Sequence, residues 1–440
     1  MTSLSTRLAA ALLAACASLA PPLAHAEARQ EALTLDRAIA LALENQPTLR
    51  VQAAQVEAAR GRVDQARVAR RPTVTVSAAG SAGSTQARVI NSGQTLQGGF
   101  FEPFLGTGLT ASATWRLYDF GLTAANIRAA EASAAATEAA GGTNTLDIQS
   151  QVAIAYLEAV ARQRLIAVAD ATVVSELRHV DEARRFVAAQ AKDPIEVSQA
   201  VARAATARST LAQAQSDAAV AMADLRSAVG LFDPETTLSI DAAWPTPPAA
   251  EPPPLPALVG NARTQRPEIV AFDKQIAAAE ASITAAAATR RPTLNATART
   301  AWDPDTRDPG RAPSWNAGIT LQWQVYDGGR AAADVRVARA NLASVQAQRD
   351  ALVVTLTSQL DAARARIIAN RANVSASTEA VTAARAQLQL AEARYRQGLG
   401  SQIELADAQF AVTSAEGNMI SAEWQLADAW AQLRRATGRW

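Results

Sequence analysis

Arg-Arg-Pro-Thr occurs twice, at Arg70–Thr73 and Arg290–Thr293, 220 residues apart, each time between an alanine-rich run and a stretch that alternates polar with apolar residues. A chain that repeats its punctuation in the same context is built from two copies of one unit. Other pairs agree. Gln46-Pro47 matches Arg266-Pro267 at the same spacing, while Tyr118-Asp119 and Tyr326-Asp327, Ile195-Glu196 and Ile403-Glu404, and Gly230 and Gly438 match at 208. The twelve-residue change in spacing falls in one loop, around residues 84–104. Between the copies, residues 231–256 carry Pro247-Pro248 and Pro252-Pro253-Pro254 and cannot be a helix interior. The expected organisation is a leader over 1–26, an N-terminal helix over 27–47, a first repeat over 48–230, the Pro-rich linker over 231–256 and a second repeat over 257–440.

The leader has one Arg, an apolar run and the box Ala24-His25-Ala26, which fits a signal peptide cut before Glu27. Cys16 follows Leu13-Ala14-Ala15, which also fits the box before a lipidated cysteine, and both outcomes stay open. Losing the leader removes Arg7 from 42 basic residues against 41 acidic ones, so the mature chain is balanced and offers no field for nucleic acid. A cut after Ala26 leaves no cysteine and one histidine, His179. That excludes a thiol nucleophile and a zinc cluster, and no metal or cofactor is expected. His179 lies in the helical run SELRHVDEAR and reads as a solvated helix side chain. No enzyme constellation remains.

After the leader no window reaches eighteen consecutive apolar residues, so no membrane helix is available. The alternating stretches carry the membrane argument instead. In 109–118, Leu109, Ala111, Ala113, Trp115 and Leu117 fall on one face, and Thr110, Ser112, Thr114, Arg116 and Tyr118 on the other. Ala317, Ile319, Leu321, Trp323 and Val325 repeat the apolar face opposite Asn316, Thr320, Gln322, Gln324 and Tyr326. Strands of roughly ten residues with Trp near their ends match a lipid-facing exterior and a wet interior, with Leu109, Trp115, Leu321 and Trp323 toward lipid. Strands starting at Thr73 and Thr293 bring the number to four, too few to close a barrel. Hydrocarbon tolerates no open sheet edge, so several chains must share one barrel.

The helices give an independent length. Residues 327–397 contain no proline and keep small or apolar residues at helical spacing, which at ~1.5 Å per residue spans roughly 100 Å. Residues 51–71 and 195–229, and again 269–291 and 403–437, are pairs that stacked end to end would flank one such helix. Gly141-Gly142 interrupts the first long helix and is a candidate bend. Arg70-Arg71 and Arg290-Arg291 end helices, where cations complement the dipole, and Pro72 and Pro292 stop the helix and begin a strand. Asp119 and Asp327 mark the return, as caps or within the first helical turn.

LTLDRAIALALENQPTL, RRPT before a strand, LYDFG and VYDGG before long helices, and EARYRQGLGSQIELADAQ together resemble the TolC-type outer-membrane efflux proteins over the whole mature chain. The resemblance implies a mixed α and β homotrimer in which each chain gives four strands to a twelve-stranded barrel in outer-membrane lipid. The helices would continue the barrel as a long periplasmic tunnel, belted by the N-terminal helix and residues 231–256. It implies a passive exit duct for drugs, other small molecules or toxic ions, handed over by an inner-membrane transporter and a periplasmic adaptor. The duct of a type I protein secretion system is the alternative within the family, and a soluble coiled-coil scaffold the alternative outside it.

The tips carry the candidate site residues. Glu404 and Asp407, three apart on one helical face, match the family's periplasmic constriction; alone, such a pair also reads as a dipole-favoured, solvated helix start. The resemblance implies that Glu196 and Tyr395 stand where the family has closing contacts, whereas Gly400 and Glu423 occupy positions where the family's best-known member carries arginines. The reversals, with Lys192, Asp193 and Pro194 in one and Gly398, Leu399 and Gly400 in the other, are expected to dock the adaptor.

Overall fold

The computed structural model describes residues 33–86, 89–91, 94–96, 101–232, 238–241, 243–244, 251–304, 310 and 312–440. The leader, with Cys16 and the cleavage box, lies outside them, as does part of the Pro-rich linker. The elements run α1 (Leu35–Asn45), α2 (Pro47–Val68), β1 (Thr73–Gln86), β2 (Val89–Asn91), β3 (Gln94–Leu96), β4 (Phe101–Tyr118), α3 (Leu122–Ala188), α4 (Ile195–Val229), α5 (Leu255–Gln265), α6 (Pro267–Ala288), β5 (Thr293–Trp302), β6 (Ser314–Gln322), α7 (Arg330–Arg396) and α8 (Gln402–Thr437). The fold is mixed α and β, mostly helical, and α3 and α7 have the same length of 67 residues.

Proline sets the boundaries. Pro47 and Pro267 open α2 and α6 at the first turn, where a missing N–H costs nothing, and the residue before each grips the end of another helix. Gln46 Nε2 donates to Ser227 O at the end of α4 (3.1 Å), and Arg266 Nη1 donates to Ala436 O at the end of α8 (3.2 Å). Arg266 is itself buried and forked onto Glu268 at 2.9 and 3.0 Å, so its charge is compensated where water is absent. In this way α4 abuts α2 and α8 abuts α6, and the long helices α3 and α7 pack along these stacks.

Two glycines make the junctions possible. Gly230 and Gly438 end α4 and α8 with φ near +79°, and a Cβ there would meet Gln46 Cα at 3.2 Å and Arg266 Cα at 3.0 Å. Gly230→Ala and Gly438→Ala are each expected to destabilise the chain by ~1–3 kcal/mol and lower its thermal midpoint. Gly260→Ala, with nothing within 4 Å of the new methyl, should not. Equal midpoints for all three would contradict the junction argument.

The sheet has the order β1-β4-β5-β6, all antiparallel, with β1 and β6 as its edges. The register aligns the alternation across strands. Val74 and Val76 sit beside Ala113 and Ala111, Leu109 beside Trp302, Trp115 beside Ala296, and Ala296 beside Ile319. One face is therefore apolar from edge to edge, and Thr75, Ser112, Arg299 and Asn316 form a row on the other.

Four expectations need correction. Trp323, Val325 and Tyr326 lie beyond β6, because the residue opposite Trp323 in the ladder is Pro292, which has no N–H to give. The Trp323 indole donates instead to Arg290 O (3.1 Å), as Trp115, opposite Pro72, donates to Arg70 O (3.0 Å). β1 and β4 run to 14 and 18 residues rather than about ten, and β2 and β3 form an additional hairpin beyond them. Helices α2 and α6 stop at Val68 and Ala288, which leaves the arginine pairs in the turn that follows. Finally, α3 runs through Gly141 and Gly142 unbroken, and the glycines admit Gln52 and Pro267, whose side chains would lie 3.3 and 2.9 Å from added methyls.

The cores are thin and alanine-rich. The largest gathers Ala38, Ile39 and Ala42 of α1, Val152, Tyr156 and Val160 of α3, and Leu225 and Val229 of α4. Tyr156 OH donates to Leu33 O (3.0 Å), and Leu33 N–H donates to Ser239 O (2.6 Å), which ties the N-terminal stretch and the linker to the waist of the helical stack. Burial pushes the Tyr156 phenol up, with Asp241 adding to it.

At the return from sheet to helix, Asp119 and Asp327 act as caps. Asp119 accepts from Gly121 N (3.2 Å) and Thr123 N (2.8 Å), and Asp327 from Gly329 N (2.9 Å) and Ala331 N (2.8 Å). Burial raises the Asp119 carboxyl, but these hydrogen bonds, the Thr123 hydroxyl and Arg116 outweigh it, and the net direction is down. Asp327 is lowered chiefly by the Ala331 and Gly329 amides.

Candidate functional site at the hairpin tips

Each long helix reverses through a tight turn into its partner. At the end of α7, Leu399 N and Gly400 N both donate to Arg394 O (2.9 and 3.0 Å) as Gly398 adopts positive φ. At the end of α3, Gln190 takes that conformation without being glycine, and Ala191 N donates to Phe186 O (2.9 Å). The following helices start on side-chain caps, Asp193 Oδ1 accepting from Ile195 N (2.9 Å) and Ser401 Oγ from Glu404 N (3.1 Å).

The two tips are joined within the chain. Tyr395 is fully buried and donates its hydroxyl to Glu196 Oε2 (2.9 Å), with the Phe186 ring edge-on at 5.5 Å. Burial, then Glu196, pushes the phenol well above its ordinary range, so it stays a donor. Lys192 closes the cluster. Its ammonium lies 3.7 Å from the Tyr395 ring centroid and 3.5 Å from Glu196 Oε2, and donates to Gly400 O at 3.1 Å. Only 11% of that side chain is exposed. The sequence reading put Lys192 at the docking surface. Its head is turned inward, and the exposed tip residues include Asp193, Pro194, Ile195 and Leu399, with Gly398 open to solvent.

Glu404 and Asp407 lie one turn apart on α8 with unequal surroundings. Glu404 pairs with Arg394 at 3.2 Å, whereas Asp407 has no cation partner among the described residues. Ile403, Asp407, Phe410, Ser414 and Asn418 form an exposed stripe at helical spacing. Glu423 is paired with Arg164 of α3 at 2.7 Å.

Sequence reasoning missed a polar seam behind this stripe. His179, expected in solvent, is 3% exposed, and its Nδ1 lies 3.7 Å from Glu176 Oε2, which Arg203 Nε approaches to 3.8 Å. Ser175 Oγ donates to Gln409 Oε1 (2.8 Å), and the Thr172 and Thr413 hydroxyls meet at 3.0 Å. Thr172, Glu176, Arg203, Gln409 and Thr413 of this seam line a groove of about 490 Å³ between α3, α4 and α8. Thr172, Glu176 and His179 at helical spacing were its signal, hidden because the partners come from two distant helices. Among the described residues no His, Cys, Asp or Glu cluster could hold a metal, and no helix is long and apolar enough to cross a membrane.

The family model described as outer membrane efflux protein matches residues 38–231 and 258–439, leaving out little beyond the leader region and the Pro-rich linker. Protein CyaE of Bordetella pertussis is 29% identical over 385 residues, covering 87% of this chain and 79% of that protein. Outer membrane efflux protein BepC of Brucella suis is 25% identical over 324 residues, 71% of this chain and 69% of that one. The crystal structure of the Campylobacter jejuni CmeC outer membrane channel shares the fold with a TM-score of 0.76 at 17% identity, over 92% of this chain and 85% of that one.

Proposed function

The chain belongs to the outer membrane efflux protein family, and from that premise we propose that it is the passive exit duct of a tripartite export machine. It is an outer-membrane protein with a periplasmic helical part, in a family of channels rather than enzymes. The cargo is proposed to be drugs, other small molecules or toxic ions. In this reading three copies close a twelve-stranded barrel, β1 of one chain pairing with β6 of the next, and the two repeats of each chain continue it as a helical tunnel. The observation that carries the reading is the sheet, which combines one face apolar across four strands with two unpaired edges. Such a sheet is stable in hydrocarbon only when closed by further copies. Asp193, Pro194 and Leu399 at the tips are proposed to meet the periplasmic adaptor, which connects the duct to an inner-membrane transporter. Deleting the gene should raise intracellular retention of a fluorescent efflux dye. Loss of a secreted polypeptide with unchanged dye retention would replace this reading with that of a protein secretion duct.

A further inference from the structure

The repeated Arg-Arg-Pro-Thr joint is more than a helix stop. Its four arginines stand in the turns after α2 and α6, and they are exposed. Arg70 and Arg71 have no side-chain partner among the described residues, and Arg290 makes only a longer-range attraction to Asp327. Arg291 alone is engaged, donating to Phe120 O. None of the other three guanidinium groups reaches a helix-end carbonyl, so capping does not account for them.

The indoles fix the level and side of these cations. Trp115 and Trp323 donate to Arg70 O and Arg290 O, and Trp115 belongs to the apolar face of the sheet. The first arginine of each pair therefore has its backbone bonded to a ring at the border between sheet and helix. Around them Tyr118, Phe120, Val325 and Tyr326 are exposed, Tyr326 at 86%. Amphipathic rings at one level beside unpaired cations are what a lipid headgroup region selects, aromatic bodies against acyl chains and guanidinium groups against phosphate.

We infer that this collar binds anionic phospholipid headgroups of the periplasmic leaflet, phosphatidylglycerol in particular, through Arg70, Arg71 and Arg290. The inference rests on the reading of the sheet as membrane-spanning. Fork-shaped guanidinium groups match phosphate oxygens, and two turns per chain bring up to six such turns around a trimer. Arg291, already bound to Phe120, holds the joint rather than the lipid.

The test is reconstitution of the full trimer into vesicles with equal amounts of phosphatidylcholine and phosphatidylglycerol, followed by native mass spectrometry of the lipids retained. Phosphatidylglycerol is expected to exceed phosphatidylcholine roughly tenfold. Combined Arg70→Gln, Arg71→Gln and Arg290→Gln should bring the ratio to parity, and molar salt should do the same to the unaltered protein. A ratio near one in the unaltered protein, or an excess that survives both treatments, would overturn the inference. Displacement of the lipid by inorganic phosphate would also overturn it, by making the site one for the free anion. Failure of the protein to insert would instead sink the spanning reading, and this inference with it.

Discussion

Replacing Glu404 and Asp407 together by alanine is expected to weaken block by a trivalent cation, added from the tip side of a single channel in a planar bilayer, by about two orders of magnitude. In three copies the two positions would place six carboxylates around one narrow opening, and charge concentrated between low-dielectric walls gathers multivalent cations most. The two carboxylates should not contribute equally. Glu404 is partly neutralised by Arg394 at 3.2 Å, whereas Asp407 is exposed and has no cation partner among the described residues. Asp407→Ala alone should therefore cost more block than Glu404→Ala. Assembly should be unchanged, because the tip lies at the opposite end of the long helices from the sheet. Block that survives the double substitution would return the pair to a dipole-favoured helix start.

The second large effect is expected at Lys192. Its ammonium joins the two tips through Gly400 O, Glu196 and the Tyr395 ring. A charged hydrogen bond and a desolvated cation–π contact together make a contact of about 2–4 kcal/mol. Lys192→Ala should raise single-channel conductance several-fold and sensitise cells to a bulky antibiotic normally kept out. Tyr395→Phe, which keeps the ring and loses only the bond to Glu196, should do so less. Unchanged conductance in Lys192→Ala, with normal trimer yield, would show that this contact does not gate the duct.

The fold was legible where one residue type dictates the backbone. Pro72 and Pro292 set the starts of β1 and β5, the paired glycines set the ends of α4 and α8, and period-two alternation identified the apolar face. Reading failed where the outcome depends on a partner distant in sequence. Trp323 continued the alternation on paper, yet the opposite Pro292 ends that ladder. Gly141 and Gly142 looked like a bend, but they make room for Gln52 and Pro267. At the site, Glu196 and Tyr395 were singled out by the family resemblance, and the structure joins them by a hydrogen bond, although only Glu196 has a counterpart in the other repeat, Glu404. Lys192 was placed at the docking surface because it lies in the reversal at a hairpin tip. Its aromatic seat is assembled from Phe186 and Tyr395, which come from different hairpins.

The central claim, that three four-stranded sheets close edge to edge into one barrel, can be tested by disulfide trapping between β1 and β6. The claim requires the β1 edge of one chain to lie beside the β6 edge of another, with matching faces. A chain lacking Cys16, the only cysteine in the sequence, would receive one cysteine at Thr75 and a second at Asn316 or Thr320, on the same polar face. Mild oxidation in outer-membrane fractions should give a covalent ladder that ends at the trimer, and neither single-cysteine chain should give it. A bridge formed within one chain, or a ladder that continues past three, would contradict the shared barrel.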